Sequence, residues 1–161
     1  LPIANNSQLN QFLDLSNAQF YGNQHSLFRW KKTISNLKIQ AMLKKHKLID
    51  SNDDLLDLNI IQRGRSGRVI RLGIKTKNSN NQIVLVKDNI RKILSFLPSN
   101  LFNIDKLNDN FWIFKGGGFG HGVGLSQSGA IEMAKQGFSY EKILNHYYQK
   151  TKIRKIDILS D

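Results

Sequence analysis

The chain passes from a predicted strand to a predicted helix over residues 111–137, FWIFKGGGFGHGVGLSQSGAIEMAKQG. Residues 111–114 form a short apolar run typical of a strand. Residues 128–136 have helical spacing, and Gly137 follows where a glycine commonly ends a helix. Between them, six glycines lie within residues 116–124. This immediate succession of strand, glycine-rich connection and helix predicts a fold that mixes both element types.

The rest of the chain predicts further short elements without a regular alternation of strand and helix. Residues 1–27 are polar and loosely patterned, so we expect them to cover the domain surface or to complete a fold whose start is missing. Helices are predicted to begin at the capping residues Ser35, Asp88 and Ser139. Strands are predicted over residues 28–34, 56–62, 70–75, 83–86, 101–104 and 153–159. This mixture predicts an α+β fold.

The spacing of the apolar residues predicts which face of each helix and strand is buried. The predicted buried side chains are Leu37, Met42 and Leu43 on the first helix, Leu56, Leu58 and Ile60 on one strand, and Ile70, Leu72 and Ile74 on the next. On the last helix, Tyr147 is predicted to face the core and Tyr148 to border a groove. In the glycine-rich segment, apolar and aromatic residues alternate with glycines, which predicts one packed face and one bare face.

Composition limits the class of protein and the kinds of partner. A chain of 161 residues that is 40% hydrophobic fits one domain with a sizeable core. No apolar run reaches the roughly 18 residues of a membrane span, so no transmembrane segment is expected. There is no cysteine, hence no disulfide or thiolate metal site. The start lacks an initiator Met and a signal peptide, and we interpret it as a cut inside a longer protein.

The strong positive charge has two interpretations. A formal net charge of +12 indicates an acidic polymer partner, such as nucleic acid, an anionic membrane or wall polymers. Alternatively, it reflects a composition rich in Lys, Asn and Ile, as in proteins from AT-rich genomes. Because aromatic residues are not interleaved with the basic ones, we expect no nucleic-acid partner.

Several motifs nearly fit the glycine-rich segment, and none fits fully. A phosphate-binding loop requires Gly-Lys-Ser/Thr after its glycines, but Lys115 precedes them. A dinucleotide fingerprint would need glycine where Val123 or Leu125 stands. A nucleophile elbow over residues 124–128 would need glycine in place of Ser128. We therefore expect no nucleotide cofactor and do not favour a serine hydrolase.

Residues 118–130 are similar to the signature of the SpoIID/LytB family of bacterial cell-wall proteins, which reads G-x-G-x-G-H-G-V-G-M-S-Q-x-G-A. Leu125 stands in place of the usual Met, and the start is one glycine looser. The similarity extends over residues 28–153 and is strongest over 116–148. It includes Gly67-Arg68-Val69 upstream and His146-Tyr147-Tyr148 downstream. The resemblance implies that residues 1–161 are a single domain, the C-terminal part of a SpoIID-like domain whose N-terminal segment is absent.

The resemblance implies action on peptidoglycan glycan strands. Some family members are lytic transglycosylases, which need one carboxylic acid with a raised pKa, and others enhance a partner amidase. The family carries that acid on a Glu in an N-terminal segment that would lie before Leu1. By the resemblance, neither Glu132 nor Glu141 matches a catalytic position of the family. Each also has a structural explanation, since Glu132 is spaced to pair with Lys135 and Glu141 lies in a helix first turn. The catalytic residue is therefore unknown, and the chain alone is expected to be inactive.

The candidate substrate-binding residues are Gly120, His121, Gly122, Gly124, Ser126, Gln127 and Tyr148. His121 would bind sugar or assist proton transfer, or instead fix the loop through backbone hydrogen bonds. Ser126 would bind substrate or cap the following helix. Gln127 would bind a sugar hydroxyl or acetamido group, or tie down the loop. No metal is expected, because the other three histidines show no metal-ligand spacing with His121.

Three functions compete on these grounds. The first is a peptidoglycan-cleaving domain in cell-wall remodelling that lacks its catalytic segment in this chain. The second is a non-catalytic module that binds glycan or enhances a cell-wall amidase. The third is a polyanion binder, which would show steeply salt-dependent binding. The first two imply a location in the cell envelope or another extracytoplasmic site.

Overall fold

The computed structural model of the chain describes Ile3, residues 5–15 and residues 20–154. In these ranges the elements are α1 (Asn6–Asp14), β1 (Arg29–Ser35), α2 (Asn36–Lys45), β2 (Leu55–Arg63), β3 (Val69–Thr76), β4 (Ile83–Val86), α3 (Asp88–Ile93), β5 (Phe102–Asn108), β6 (Phe111–Gly117), α4 (Gln127–Lys135) and α5 (Tyr140–Tyr147). Helices mixed with antiparallel strands confirm the predicted α+β class. No helix in the described ranges is long and apolar enough to span a membrane.

The described residues fall into two compact units. The first unit contains Ile3, residues 5–15 and residues 26–122, and the second contains residues 20–25 and 123–154. The boundary near residue 122 lies inside the glycine-rich segment. The prediction of a single domain over residues 1–161 stays a prediction.

The first unit contains two three-stranded antiparallel sheets, in the orders β1-β6-β5 and β2-β3-β4. Apolar side chains from both sheets, α2 and α3 form one hydrophobic core. Its most deeply buried members are Phe102, Phe114, Leu72, Ile74, Ile39, Leu43, Ile90 and Leu94. Burial of this apolar surface is the main favourable contribution to folding of the unit. Strand β6, which leads into the glycine-rich segment, is therefore anchored in this core through Trp112 and Phe114.

Helix α1 lies within residues 1–27, whose polar and loosely patterned sequence predicts no helix. Asn5 caps it by accepting a hydrogen bond from the Gln8 N–H at 2.9 Å. Leu9 is fully buried. The guanidinium of Arg63 donates to Asn6, a contact that local sequence patterns do not reveal.

Two predictions of buried side chains are wrong. Leu37 is 77% exposed, because α2 buries the face that carries Ile39 and Leu43, and Leu37 lies off that face. Leu56 is 52% exposed, because an irregularity between Leu55 and Asp57 changes the phase of strand alternation. Leu43, Leu58, Leu72 and Ile74 are buried as predicted, whereas Met42, Ile60 and Ile70 are partly buried.

The predicted helix starts are largely confirmed. The Ser35 and Ser139 hydroxyls accept hydrogen bonds from the Lys38 and Lys142 N–H groups at 3.3 and 3.4 Å. The prediction for Asp88 is wrong, because Lys87 occupies the cap position with φ of 49° and Asp88 is the first helical residue. Of the predicted strand over 153–159, residues 155–159 lie outside the described residues.

In the second unit, α4 ends at a Schellman motif. Gly137 has φ of +83°, its N–H donates to Ala134 O at 3.0 Å, and the Phe138 N–H donates to Met133 O at 3.1 Å. These bonds satisfy two carbonyl groups that the helix itself leaves unpaired. The predicted role of Gly137 at the helix end is therefore confirmed.

Candidate functional site

The glycine-rich segment begins under the side chain of Trp30 in the first unit. Gly116 is the register partner of Trp30 between β6 and β1. A Cβ at Gly116 would overlap the Trp30 ring and the Leu101 carbonyl oxygen. Only glycine lets the Trp30 indole pack directly against the backbone at Gly116, so this glycine has a packing role.

Beyond β6, hydrogen bonds fix the backbone of the segment. The Gly118 N–H donates to Phe28 O at 3.2 Å, and Gly118 O accepts from Trp30 Nε1 at 3.1 Å. The Gly120 N–H donates to Pro98 O at 2.9 Å. Gly118, Gly120 and Gly122 all have positive φ, from 72° to 90°. The segment is therefore held in a conformation that residues other than glycine rarely adopt.

The predicted packed face of the segment is wrong. Phe119 and Val123 are 70% and 77% exposed, and His121 is exposed as well. The prediction assumed strand-like alternation, in which every second side chain lies on one face. Because alternate residues have positive φ, the backbone turns at each glycine and that alternation does not hold.

Arg68 lies against the glycine-rich segment within the first unit. A Cβ at Gly122 would overlap the Arg68 guanidinium, so glycine is required for this approach. Arg68 Nε is buried and has no hydrogen-bond partner. Burial lowers the pKa of Arg68, a shift that reflects partial removal of its charge from water. Sequence patterns did not select Arg68 as a site residue, because its neighbour Gly122 is distant along the chain.

A second arginine lies beside Phe119. The Arg91 guanidinium carbon is 5.8 Å from the centre of the Phe119 ring, within the range of a cation–π contact. Arg91 Nε also donates to Leu97 O at 3.5 Å, a long hydrogen bond. Phe119 and Arg91 are thus two further exposed or partly exposed side chains that sequence reasoning did not assign to the site.

In the second unit, the segment contacts the end of α5. The Leu125 N–H donates to the Tyr148 hydroxyl oxygen at 3.2 Å. A Cβ at Gly124 would lie 2.8 Å from that oxygen, and Gly124 has φ of +84°. Tyr148 is 40% exposed, and its hydroxyl fixes the segment at Leu125.

Ser126 caps α4, which is one of the two roles predicted for it. Its hydroxyl accepts from the Gly129 N–H at 3.3 Å and lies 3.3 Å from the Ser128 hydroxyl. Gln127 is the exposed first residue of α4. Burial raises the pKa of Tyr147, whose hydroxyl lies against Gly129. The core-facing orientation of Tyr147 agrees with its partial burial.

Both glutamates have structural partners within the second unit. The Glu132 carboxylate accepts hydrogen bonds from the Gly22 N–H and from Gln136 Nε2. Its predicted pairing with Lys135 is absent from the ion pairs of the described ranges. Glu141 lies in the first turn of α5 as predicted, and hydrogen bonds from the Tyr140 and Ser139 hydroxyls lower its pKa.

The predicted site residues occur in both units. Gly120, His121 and Gly122 belong to the first, whereas Gly124, Ser126, Gln127 and Tyr148 belong to the second. In the second unit the structure brings Gly124 and Tyr148 into contact. Across the part of the chain that the structure describes, no three His, Cys, Asp or Glu side chains could together hold a metal ion.

These features define an α+β protein with a glycine-rich segment fixed by backbone hydrogen bonds. The chain belongs to the family described as Domain of unknown function (DUF8618), whose model matches residues 1–124. It is also 35% identical over 123 residues to an uncharacterized protein of Brachyspira hyodysenteriae, a match that covers 70% of this chain.

A short part of the chain is similar to Stage II sporulation protein D. The proteins of that name from Bacillus subtilis and Bacillus amyloliquefaciens are 55% and 58% identical to it over 40 residues, which is 25% of this chain. The chain spans 12% of the length of each sporulation protein and 32% of the Brachyspira protein. The similarity to the sporulation proteins is therefore local, and membership of the wider SpoIID/LytB family stays a prediction.

Proposed function

We propose that this chain is part of a cell-wall protein that binds peptidoglycan glycan strands in the cell envelope. The observation that carries this proposal is the local identity of 55–58% to Stage II sporulation protein D, taken together with the SpoIID-like signature over residues 118–130. In this proposal, the predicted site residues of the first unit, Gly120, His121 and Gly122, contact the glycan.

The geometry of the glycine-rich segment supports contact with sugars. At Gly118 and Gly120, no heavy atom lies within 4 Å of the position where a Cβ would stand. A ligand can therefore approach the backbone closely at both glycines. Because the segment is already held by hydrogen bonds to Phe28, Trp30 and Pro98, little conformational entropy is lost when a ligand binds.

A cleavage reaction would need a carboxylic acid, and the two described carboxyls with a shifted pKa do not suit that role. A lytic transglycosylase needs a carboxyl with a raised pKa, which protonates the glycosidic oxygen and then accepts the proton of the attacking hydroxyl. Among the described carboxyls with a shifted pKa, Asp53 and Glu141 are both shifted downward. Neither is suited to the role of a general acid near neutral pH.

A digest of isolated peptidoglycan sacculi tests the proposal. Sacculi would be incubated with this chain and with the full product of its gene, and the fragments analysed by mass spectrometry. We expect the chain to sediment with sacculi without releasing fragments, and the full product to release fragments with 1,6-anhydro ends. Absence of both sedimentation and cleavage would contradict the proposal. Anhydro fragments from the chain alone would place the acid within it, and Glu132→Gln and Glu141→Gln would then be compared.

A second candidate function is a non-catalytic module that enhances a cell-wall amidase. The observation in its favour is the engagement of both glutamates in local hydrogen bonds. In this case the full gene product would also release no anhydro fragments. Its addition to a purified wall amidase would instead increase the rate of peptide release from sacculi, with an equal mass of heat-denatured protein as the control.

A further inference from the structure

We propose that Phe119, Arg91 and Arg68 form a binding surface for a saccharide that carries a carboxylate. All three side chains belong to the first unit, where Arg91 lies beside Phe119 and Arg68 lies against Gly122, and we call them the Phe119 surface. The inference rests on the proposed function and adds to it the residues and the charge of the ligand.

The first step is the exposure of an aromatic ring on a fixed backbone. Phe119 is 70% exposed between Gly118 and Gly120, which have open space where side chains would stand. The face of a phenyl ring carries negative charge density, which attracts the polarised C–H groups on the apolar face of a pyranose. The two bare glycines leave room for the sugar to lie over the ring.

The second step is the charge beside the ring. The Arg91 guanidinium lies 5.8 Å from the ring centre and is held at its Nε by Leu97 O. When a sugar stacks on Phe119, its carboxylate can reach the guanidinium nitrogens of Arg91 that do not bond Leu97. Arginine suits this role because its planar fork matches the two oxygens of a carboxylate.

The third step is the unsatisfied donor of Arg68. Its guanidinium lies against Gly122, and its buried Nε has no acceptor. A buried donor without a partner costs free energy. Because the Arg68 side chain as a whole is only partly buried, a small shift toward a bound carboxylate would satisfy this donor. Neither Arg68 nor Arg91 takes part in the ion pairs of the described ranges, so both charges are available.

The spacing and local charge suit a ligand longer than one sugar. Phe119 and Gly122 are three residues apart, so their Cα atoms are separated by at most about 11 Å. A short oligosaccharide can cover that distance, with one ring on Phe119 and a carboxylate at Arg68. No acidic residue occurs between Asp109 and Glu132 in the sequence to repel the carboxylate.

Calorimetric titration with two matched ligands tests this inference. One is a tetrasaccharide of alternating N-acetylglucosamine and N-acetylmuramic acid, and the other is the same molecule with its carboxylates converted to amides. We expect the acidic ligand to bind about tenfold more tightly at low salt, as charge-assisted hydrogen bonds predict. Phe119→Ala should weaken both ligands about tenfold or more. Arg68→Gln and Arg91→Gln should weaken only the acidic one.

Three comparisons make the test decisive. Arg71→Gln, at an exposed position in β3, is the matched charge control and should leave both affinities unchanged. Arg68→Lys keeps the charge but loses the fork, and it should retain part of the preference. Far-ultraviolet circular dichroism of each variant establishes that it is folded.

The possible failures separate this inference from the proposed function. Sedimentation with sacculi that persists unchanged in Phe119→Ala would overturn the Phe119 surface while the proposed function stands. Equal affinity for the two ligands, with no effect of the arginine substitutions, would overturn the claim that Arg68 and Arg91 recognise a carboxylate. Failure of the unaltered chain to bind sacculi or either ligand would overturn both.

Discussion

Arg63 and Arg68 are both partly buried in the first unit, but their donors are used differently. The Arg63 guanidinium donates to Gly67 O at 2.7 Å and Phe102 O at 3.0 Å, and also to the side-chain oxygens of Asn6 and Asn103. Burial lowers the pKa of Arg63 to about 10, so it remains charged near neutral pH. Arg63 is therefore a structural link between β2, β5 and α1. Arg68 Nε has no such partner, which makes Arg68 the better candidate for contact with a ligand.

Asp53 is a buried carboxylate that ties two turns together. It is 5% exposed and accepts hydrogen bonds from the Asn78 and Asp54 N–H groups, each at 2.9 Å. Burial acts to raise the pKa of Asp53, but the hydrogen bonds, chiefly that from the Asn78 N–H, outweigh it and lower the pKa. The charged form is thus more stable in the folded chain than in the unfolded chain.

This depressed pKa predicts a pH dependence of stability. The contribution of Asp53 is present above its unfolded pKa, near 3.9, and is lost as pH falls through the lower folded pKa. Asp53→Asn should therefore be less stable than the unaltered chain near neutral pH, and the difference should shrink between about pH 5 and pH 2. Urea unfolding at a series of pH values measures the difference.

The matched control is Asp109→Asn, at a side chain that is 98% exposed. It should change neither the stability near neutral pH nor the acid dependence appreciably. A constant difference between Asp53→Asn and the unaltered chain across the whole pH range would contradict the lowered pKa.

At the scale of elements, short-range hydrogen bonds fix the ends of helices α4 and α5. Ser126 and Ser139 cap their N-termini, and Gly137 closes α4 with a left-handed residue. The Ser126 hydroxyl is thus already engaged, which reduces what it can offer to a ligand. These caps also orient the glycine-rich segment at the point where it enters α4.

The positive φ of Gly137, at the end of α4, predicts that the addition of a methyl group there lowers the stability of the chain. A Cβ at Gly137 would meet no atom within 4 Å, so Gly137→Ala adds no steric contact and only forces alanine into positive φ. We expect the free energy of unfolding to fall by about 1 kcal/mol. Thermal melting followed by circular dichroism measures the loss.

Gly137→Asn is the control, because asparagine tolerates the left-handed conformation better than alanine. It should lose less stability than the alanine variant. Equal or greater stability of Gly137→Ala relative to the unaltered chain would mean that residue 137 does not hold a positive φ.

At the scale of the whole molecule, unpaired positive charge dominates the electrostatics. The formal net charge is +12, and the ion pairs in the described ranges, Lys106–Asp109 and Lys115–Asp105, are both exposed. Exposed pairs contribute little stability, whereas like charges repel one another in the compact state. The charge therefore destabilises the fold unless a partner or salt neutralises it.

Salt is accordingly predicted to stabilise the chain. Raising sodium chloride from about 0.01 M to about 0.5 M shortens the screening length severalfold and should raise the Tm by several degrees. Scanning calorimetry at constant pH measures the shift. A Tm that falls with salt would indicate that attractive pairs outweigh the repulsion.

The sequence by itself determined the α+β class and much of the local structure. The caps Ser35 and Ser139, the helix end at Gly137 and the burial of Leu72 and Ile74 in β3 were all predicted correctly. These features depend on groups within about four residues of one another, so the chain encodes them locally. The signature over residues 118–130 was readable for the same reason, since its residues are contiguous.

Only the tertiary structure decided which distant residues meet. The approach of Arg68 to Gly122, the link between Gly22 and Glu132, and the irregularity that exposes Leu56 join residues from separate elements or depend on strand register. Such contacts follow from how the whole core packs, and no local pattern specifies them. The residues proposed to bind a carboxylate therefore emerged only from the folded chain, because their chemistry depends on which atoms the fold leaves without partners.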